Sequence, residues 1–233
     1  MNKKALVLLF GLFFTLFCIG ASAQVEQVYS SVVTDEAAVV EEFDAWFSSE
    51  EAINPRTASL LSVQVNGTDA TTHNLVLDYA DYASWQTSMD AATKSKDFAK
   101  LERRIPRFYT GSGEALYVRI ADNGKSFKEG DYIFVIAVKV KDGKDEAYIK
   151  AFNNYMNSAL AKKSPGFVRL LAARAGAEDF SHLAVFSAPT FAALNEFLDS
   201  HSGTQEMIDF MAKVGDISTG IGSSIHKVIK VWK

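Results

Sequence analysis

The sequence predicts an α+β fold made of two copies of one strand–helix–strand–strand–helix–strand unit. Residues 24–233 contain a repeat whose two copies align at an offset of 109 residues without a gap. In both copies, short segments rich in Val, Ile and Tyr alternate with segments whose apolar residues recur every three or four positions. This long period indicates a duplicated supersecondary unit, because the apolar residues keep their register from one copy to the other.

Identical residues at matched positions define the repeat. The identical pairs include Gly67 with Gly176, His73 with His182, and Asp90 with Asp199. Residues 24–122 are predicted to form the first ferredoxin-like repeat, 123–130 a polar linker with two glycines, and 131–233 the second repeat.

Each copy is predicted to contain four strands and two helical regions. The strands are residues 25–33, 58–65, 73–79 and 115–121 in the first copy, and 132–140, 167–175, 182–187 and 224–232 in the second. In the first copy the helices begin at Thr34-Asp35-Glu36 and Asp81, and Asn54-Pro55 ends the first of them. In the second copy the helices are 146–160 and 191–211. The Thr-Gly-x-Gly segments at 110–113 and 219–222 lack the lysine and following helix of a phosphate loop, so they are predicted to be turns.

Residues 1–23 are predicted to be a cleaved signal peptide. Two lysines precede an apolar stretch at 5–19, and Ala21 and Ala23 are the small residues that a signal peptidase recognises. The alternative is a lipoprotein acylated at Cys18, but such a site requires a small residue where Phe17 stands. We therefore expect export to the periplasm or the extracellular space.

Charge and cysteine content restrict the partners of the mature chain. Without residues 1–23 it has no cysteine, and it carries 22 basic and 28 acidic residues, a net charge of −6. Disulfides and thiolate metal ligands are therefore excluded. No concentrated basic face is expected, so the sequence predicts no nucleic-acid partner and no stable membrane insertion after signal cleavage. We expect a monomer with an internal pseudo-dimer, and further oligomerisation stays open.

A βαββαβ unit forms the ferredoxin-like arrangement, in which both helices cover one face of an antiparallel sheet. Leu60, Leu75 and Leu77 are expected on the opposite face, which two copies can cover by packing sheet against sheet. The segments Tyr82-Ala83-Ser84-Trp85 to Asp90 and Phe191 to Asp199-Ser200-His201 are aromatic-led helices at equivalent positions.

These helices resemble the second helix of the antibiotic-biosynthesis-monooxygenase-like and stress-responsive members of the dimeric α/β-barrel superfamily. The resemblance covers nearly all of residues 24–233 and implies a pseudo-twofold barrel of two ferredoxin-like repeats. It also implies an oxygenase-like or haem-associated activity. In haem-degrading members an aromatic residue near the position of Trp85 acts with an asparagine and a histidine. Here residues 25–33 contain no asparagine, and the matching histidine, His201, lies in the other copy.

His73 and His182 occupy equivalent positions at the start of the third strand of each copy. Pseudo-symmetry could bring them to a shared pocket as ligands or proton shuttles. The alternative is that each is a half-polar residue at a strand end beside a turn. Neither has a carboxylate or histidine at ligand spacing, so no metal site is predicted.

Tyr117, Arg119 and His226 are the other candidates for a ligand site. Tyr117 and His226 are repeat equivalents on the last strand of each copy, and Arg119 lies two residues beyond Tyr117 on the same strand face. All three are expected to point toward the barrel interior or its mouth, where an arginine and a histidine in a partly apolar space indicate a ligand site. The alternative is a solvated rim.

Two functions remain open at this point. The first is an exported, non-catalytic protein that binds a small apolar or aromatic ligand in the barrel, with Tyr117, Arg119, His226, His73, His182, Trp85 and His201 as candidate contacts. The alternative is a monooxygenase-like or haem-associated enzyme. No cofactor is predicted, and haem is kept as the alternative, although none of the four histidines matches the axial motif of haem-dependent tandem barrels.

Overall fold

The computed structural model describes residues 24–52 and 55–233. The predicted signal peptide, residues 1–23, and Asn54 of the predicted helix break lie outside this part of the chain. Within the described ranges, no helix is long and apolar enough to cross a membrane.

Eight strands and six α-helices make up the described part of the chain. The strands are β1 (Val25–Val33), β2 (Thr57–Val65), β3 (His73–Tyr79), β4 (Tyr109–Asp122), β5 (Tyr132–Val140), β6 (Val168–Ala175), β7 (His182–Ala188) and β8 (Ser218–Trp232). The helices are α1 (Glu36–Phe47), α2 (Tyr82–Ala92), α3 (Lys96–Arg104), α4 (Asp145–Met156), α5 (Phe191–His201) and α6 (Gln205–Val214).

The strands form one closed, antiparallel barrel in the order β1-β3-β2-β8-β5-β7-β6-β4. The order β4-β1-β3-β2 in the first half matches β8-β5-β7-β6 in the second. The halves are joined edge to edge, because β2 pairs with β8 and β4 pairs with β6. The α+β class predicted from the sequence is thus confirmed, and closure leaves the barrel without an unpaired edge.

Side-chain caps fix where most helices begin. Asp35 accepts a hydrogen bond from the backbone N–H of Ala38 at the start of α1. Asp81 and Ser84 form a reciprocal capping box at the start of α2. Such caps satisfy backbone donors that have no partner inside the helix, and each typically contributes about 1 kcal/mol.

Successive side chains of each strand point alternately to the helices and to the barrel interior, so the apolar residues form two layers. Leu60, Leu75 and Leu77 are buried against the first-half helices, together with Phe43 of α1. The expectation that these leucines face away from the helices was therefore wrong. Their neighbours in sequence, such as Leu61 and Val76, point into the barrel, because successive side chains of a strand project to opposite faces.

The prediction of turns at the Thr-Gly-x-Gly segments was also wrong. The Thr-Gly-x-Gly segments are parts of β4 and β8 rather than turns, and each contains a β-bulge. The register shifts by one residue at Ser112, between Gly111 and Gly113, and again at Ile221 in β8. An unpaired extra residue bends a strand locally, which a barrel uses to close.

The helix predicted at 191–211 is interrupted. It ends at His201 and restarts as α6, because Gly203 adopts a left-handed backbone conformation with φ of 74°. The Thr204 side chain then accepts a hydrogen bond from the backbone of Met207 and begins α6. The helix predicted at 146–160 is also shorter, since α4 ends at Met156.

Candidate ligand-binding site

A cavity of about 340 Å³ occupies the interior of the barrel. Its wall is mainly apolar, and both halves of the chain contribute to it. The apolar lining includes Val28, Leu61, Val76, Ile133, Phe167 and Val185. This volume lies within the range of about 300–1,000 Å³ that is typical of small-molecule sites.

His226 of β8 lines this cavity and belongs to a chain of hydrogen bonds. Ser30 donates to Oδ1 of Asn74 at 2.8 Å, which leaves the Asn74 amide nitrogen to face Nδ1 of His226 at 3.4 Å. Nδ1 is then the acceptor, so Nε2 carries the proton and donates to Oγ of Ser224 at 2.7 Å. Because Ser224 is the acceptor in this bond, its hydroxyl proton is free to be donated to a ligand.

Burial lowers the pKa of His226 from 6.5 to about 4, because the charged imidazolium would lose its hydration inside the barrel. The imidazole is therefore neutral near pH 7. It serves as a fixed hydrogen-bonding group of the wall rather than as a cation.

Tyr117 of β4 faces the same cavity. Its ring is nearly parallel to that of Phe180, with a centroid distance of 6.5 Å and an interplanar angle of 13°. Burial, with a smaller effect of the Glu26 carboxylate, raises the pKa of Tyr117 to about 12. The phenol is thus protonated, and its hydroxyl has no hydrogen-bond partner among the described residues.

Arg119 lies at one end of the barrel, in a buried ion-pair network. Its Nε and Nη2 donate to Oε1 of Glu26 at 2.9 and 2.5 Å, and Nη2 also donates to Oδ2 of Asp78 at 2.9 Å. The side chain of Arg119 is 8% exposed. Arg119 does not line the barrel cavity. It does not lie on a solvated rim either, because it is buried and bound to protein carboxylates.

Arg169 of β6 completes this network from the second half of the chain. Its Nη1 donates to Oε1 of Glu26 at 3.2 Å, and its Nε donates to Oδ2 of Asp122 at 3.0 Å. The guanidinium carbon lies 4.5 Å from the centre of the Phe167 ring and 5.5 Å from that of Phe127. We call Glu26, Asp78, Arg119, Asp122 and Arg169 the barrel floor.

The barrel floor contains three carboxylates and two guanidinium groups. Burial, followed by the Glu26 carboxylate, raises the pKa of Asp78 above its usual range, while Arg119 opposes this shift. Its Oδ1 is buried and has no hydrogen-bond partner in the described structure. Together with Glu26, the Asp78 carboxylate gives the floor a surplus of acidic groups.

His73 and His182 do not reach the cavity. His73 Nε2 lies 2.9 Å from Oε2 of Glu36 at the start of α1. His182 packs against the ring of Tyr148 on α4, at a centroid distance of 5.5 Å. The two histidines therefore do not share a pocket, because both stand on the strand faces that the helices cover.

Trp85 and His201 also lie in the helix layers, in different halves. The indole N–H of Trp85 donates to Oε1 of Gln27 at 2.9 Å. His201 is buried at the end of α5, where Nδ1 lies 2.5 Å from the Phe197 carbonyl oxygen and the rings of these residues are 4.0 Å apart. The two residues therefore cannot act together on a group bound in the barrel.

Sequence reasoning missed Glu26, Asp78 and Arg169. A signal was present for Asp78 and Arg169, since each is a charged residue between apolar or aromatic neighbours of its strand, as in Val168-Arg169-Leu170. Glu26 follows Val25 but precedes Gln27, so its segment gives a weaker contrast. Charged residues are rarely buried unless they are paired. The pairing itself could not be read from the sequence, because it depends on how the two halves meet.

The described residues of the barrel cavity do not fit haem. Iron needs a free nitrogen lone pair, but His226, the histidine at the cavity, accepts from Asn74 at Nδ1 and donates from Nε2. The other three histidines lie in the helix layers and do not line the cavity, although Nε2 of His182 and of His201 is buried there without a hydrogen-bond partner. In residues 24–52 and 55–233, no three His, Cys, Asp or Glu side chains are placed to hold a metal ion.

Comparisons with known proteins give matches in structure but not in sequence. No family model matches the chain, and no curated protein matches it. A proposed monooxygenase from Fusobacterium nucleatum superposes with a TM-score of 0.65 at 15% identity, covering 90% of this chain and 94% of that one. An anthrone oxidase-like protein gives 0.62 at 13% identity, covering 91% and 94%.

A mutant chlorite dismutase from Candidatus Nitrospira defluvii is also similar, with a TM-score of 0.50 at 11% identity, covering 89% of this chain and 92% of that one. These structures have the dimeric α/β-barrel fold, which confirms the resemblance predicted from the sequence. At such identities the likeness establishes the fold alone.

Proposed function

We propose that this protein binds a small, mainly apolar or aromatic molecule inside its barrel. The observation that carries this proposal is the cavity of about 340 Å³, whose apolar wall presents a few polar groups to its interior. A pocket of this composition is the usual form of a small-molecule site, because apolar surface supplies affinity and isolated polar groups fix orientation.

The polar groups favour a ligand with one or two hydrogen-bonding atoms. The Tyr117 hydroxyl is protonated and has no partner among the described residues, so it can donate to a ligand oxygen. The Ser224 hydroxyl can do the same, because His226 supplies the proton that Ser224 accepts. A hydroxyl or carbonyl on an aromatic ring would match this pair of donors.

Isothermal titration with 2-phenylethanol tests the proposal. Ala137 lines the cavity, so Ala137→Phe places a ring in the space that a ligand would fill and should abolish binding. Ala147→Phe makes the same change on the exposed surface of α4 and should leave binding unchanged. Absence of binding to the wild type, or equal binding to both variants, would contradict the proposal.

An oxygen-consuming activity is the second candidate. It is favoured by the structural likeness to a proposed monooxygenase and an anthrone oxidase-like protein, together with a neutral histidine at the cavity. The assay is oxygen uptake with anthrone, which reacts with O₂ to give anthraquinone and water. Uptake above the uncatalysed rate that is lost in His226→Ala but kept in His73→Ala would support an enzyme.

We also propose that the chain is exported and arose by duplication. Export rests on the sequence of residues 1–23 and predicts a mature chain that begins at Gln24, which N-terminal mass spectrometry of the exported protein can check. The pseudo-twofold arrangement of two ferredoxin-like repeats is supported by the matching strand orders of the two halves and by the offset of 109 residues.

A further inference from the structure

Glu26 has one carboxylate oxygen that the barrel floor does not use. All three guanidinium hydrogen bonds to Glu26 end on Oε1, two from Arg119 and one from Arg169. Oε2 has no hydrogen-bond partner among the described residues. The residue as a whole is 4% exposed. Oε2 is not one of the fully buried side-chain atoms that lack a partner, so it stays accessible to a molecule in the space beside it.

This free oxygen belongs to the barrel cavity. Glu26 lines the interior cavity but not the separate polar cavity on the other side of the barrel floor, where Arg119 and Asp78 are found. Tyr117 lies directly across from Glu26 on β4, and its ring also faces the interior. A ligand in the barrel would therefore meet Oε2 beside an aromatic face.

The charge of the barrel floor decides which ligand group suits this position. Arg119 and Arg169 already donate to Glu26, Asp78 and Asp122, so within the barrel floor two positive charges face three carboxylates. Further basic residues (Arg56, Lys125 and Lys233) line the polar cavity on the other side, whereas the interior cavity is lined by Glu26 and Asp69 with Arg169 as its basic residue. A ligand carboxylate would add a fourth acidic group to a buried site. A cation would supply the missing positive charge, and a buried charge is tolerated when it is paired and hydrogen-bonded.

We propose that the ligand is a small amine, whose protonated nitrogen donates to Oε2 of Glu26 while its apolar or aromatic body fills the barrel. This inference rests on the proposed binding function and specifies the chemical class of the ligand. The ammonium group also lies within reach of the Tyr117 ring face, where a cation is attracted by the aromatic electrons.

The test uses three probes that share a phenyl ring on a two-carbon chain: 2-phenylethylamine, 2-phenylethanol and phenylacetate. Binding to the mature chain is measured by titration calorimetry at neutral pH. Because a charge-assisted hydrogen bond is about twice as strong as a neutral one, the amine should bind about tenfold more tightly than the alcohol. Phenylacetate should bind most weakly.

Two variants show whether the preference for the amine depends on Glu26 or on the overall charge of the protein. Glu26→Gln should remove the preference for the amine over the alcohol. Glu102→Gln makes the same change on the exposed face of α3 and should keep that preference. If Glu26→Gln does not fold, Asp78→Asn removes a floor carboxylate outside the cavity lining and should reduce the preference.

The outcomes distinguish the two proposals. If the alcohol binds but the amine binds no better, or if phenylacetate binds most tightly, the amine proposal is overturned and the binding function stands. If no probe binds, the binding function itself is overturned. A preference for the amine that survives in both floor variants would place its recognition away from Glu26 and overturn this inference.

Discussion

Arg169 and Glu26 form a buried ion pair across the two halves of the chain, with Nη1 of Arg169 3.2 Å from Oε1 of Glu26. The residues are 143 positions apart, and β4 lies between their strands in the barrel. The pair therefore links the halves through the interior, in addition to the edge pairing of β4 with β6.

Arg169→Met should destabilise the protein strongly. The change leaves the Glu26 and Asp122 carboxylates buried with one cation fewer, and breaking a buried pair in this way costs about 3–5 kcal/mol. Urea unfolding measures the loss. Arg174→Met, on the exposed end of the same strand, should change the free energy of unfolding by no more than about 0.5 kcal/mol. Equal effects of the two changes would show that the barrel floor is not structural.

His226 should make the protein sensitive to acid. Its folded-state pKa of about 4 lies below the ordinary value of 6.5, so the unfolded chain binds a proton more readily in this interval. The contribution of neutral His226 to the free energy of unfolding is therefore fully present above pH 6.5. It is lost as the pH falls toward 4, which lowers that free energy by about 3 kcal/mol. Denaturant unfolding of the wild type and His226→Gln at the two ends of the interval measures this difference. The same loss in both proteins would rule out His226 as its source.

The equivalent glycines Gly67 and Gly176 should differ in their tolerance of alanine. Both have positive φ, 68° and 77°. A Cβ on Gly67 meets nothing within 4 Å, whereas one on Gly176 would lie 2.0 Å from the backbone oxygen of Glu114. Gly67→Ala should therefore cost only the backbone strain, about 1–2 kcal/mol, and Gly176→Ala clearly more. Thermal unfolding of the two variants checks the order, and a smaller effect at Gly176 would contradict it.

Trp85→Phe should affect stability but not ligand binding. The change removes the hydrogen bond from the indole N–H to Gln27 and keeps an aromatic ring in the helix layer, so a loss of about 1 kcal/mol is expected. Affinity for 2-phenylethanol should stay at the wild-type value. A large change in that affinity with little change in stability would place Trp85 at the ligand after all.

The sequence contained enough to predict most elements and to place two of the residues that line the cavity. Strand alternation placed Tyr117 and His226 together, because they stand at equivalent positions of equivalent strands. It failed for Leu75 and Leu77, whose strand face was assigned incorrectly, and His73 lies on the same face as these leucines. Apolar residues on both faces of β3 give no contrast by which to tell the helix side from the interior.

The barrel floor and the bulges could not be predicted for a different reason. Glu26 and Arg169 meet only because two strand edges pair in one register across the halves, and that register depends on bulges in β4. That Ser112 is an extra residue in β4 can be recognised only when β4 is paired with β1. Long-range relationships of this kind have no local pattern in the sequence.

Methyl NMR spectra of the protein titrated with 2-phenylethanol test the central claim most directly, because neighbouring residues report opposite faces of the barrel wall. Binding in the barrel predicts shifts of the methyl groups of Leu61, Val76 and Ile133, which line the cavity, and little change at Leu60 and Leu75, which face the helices. Shifts confined to the helix-facing methyl groups, or no shifts at all, would contradict the proposal that the barrel interior is a ligand site.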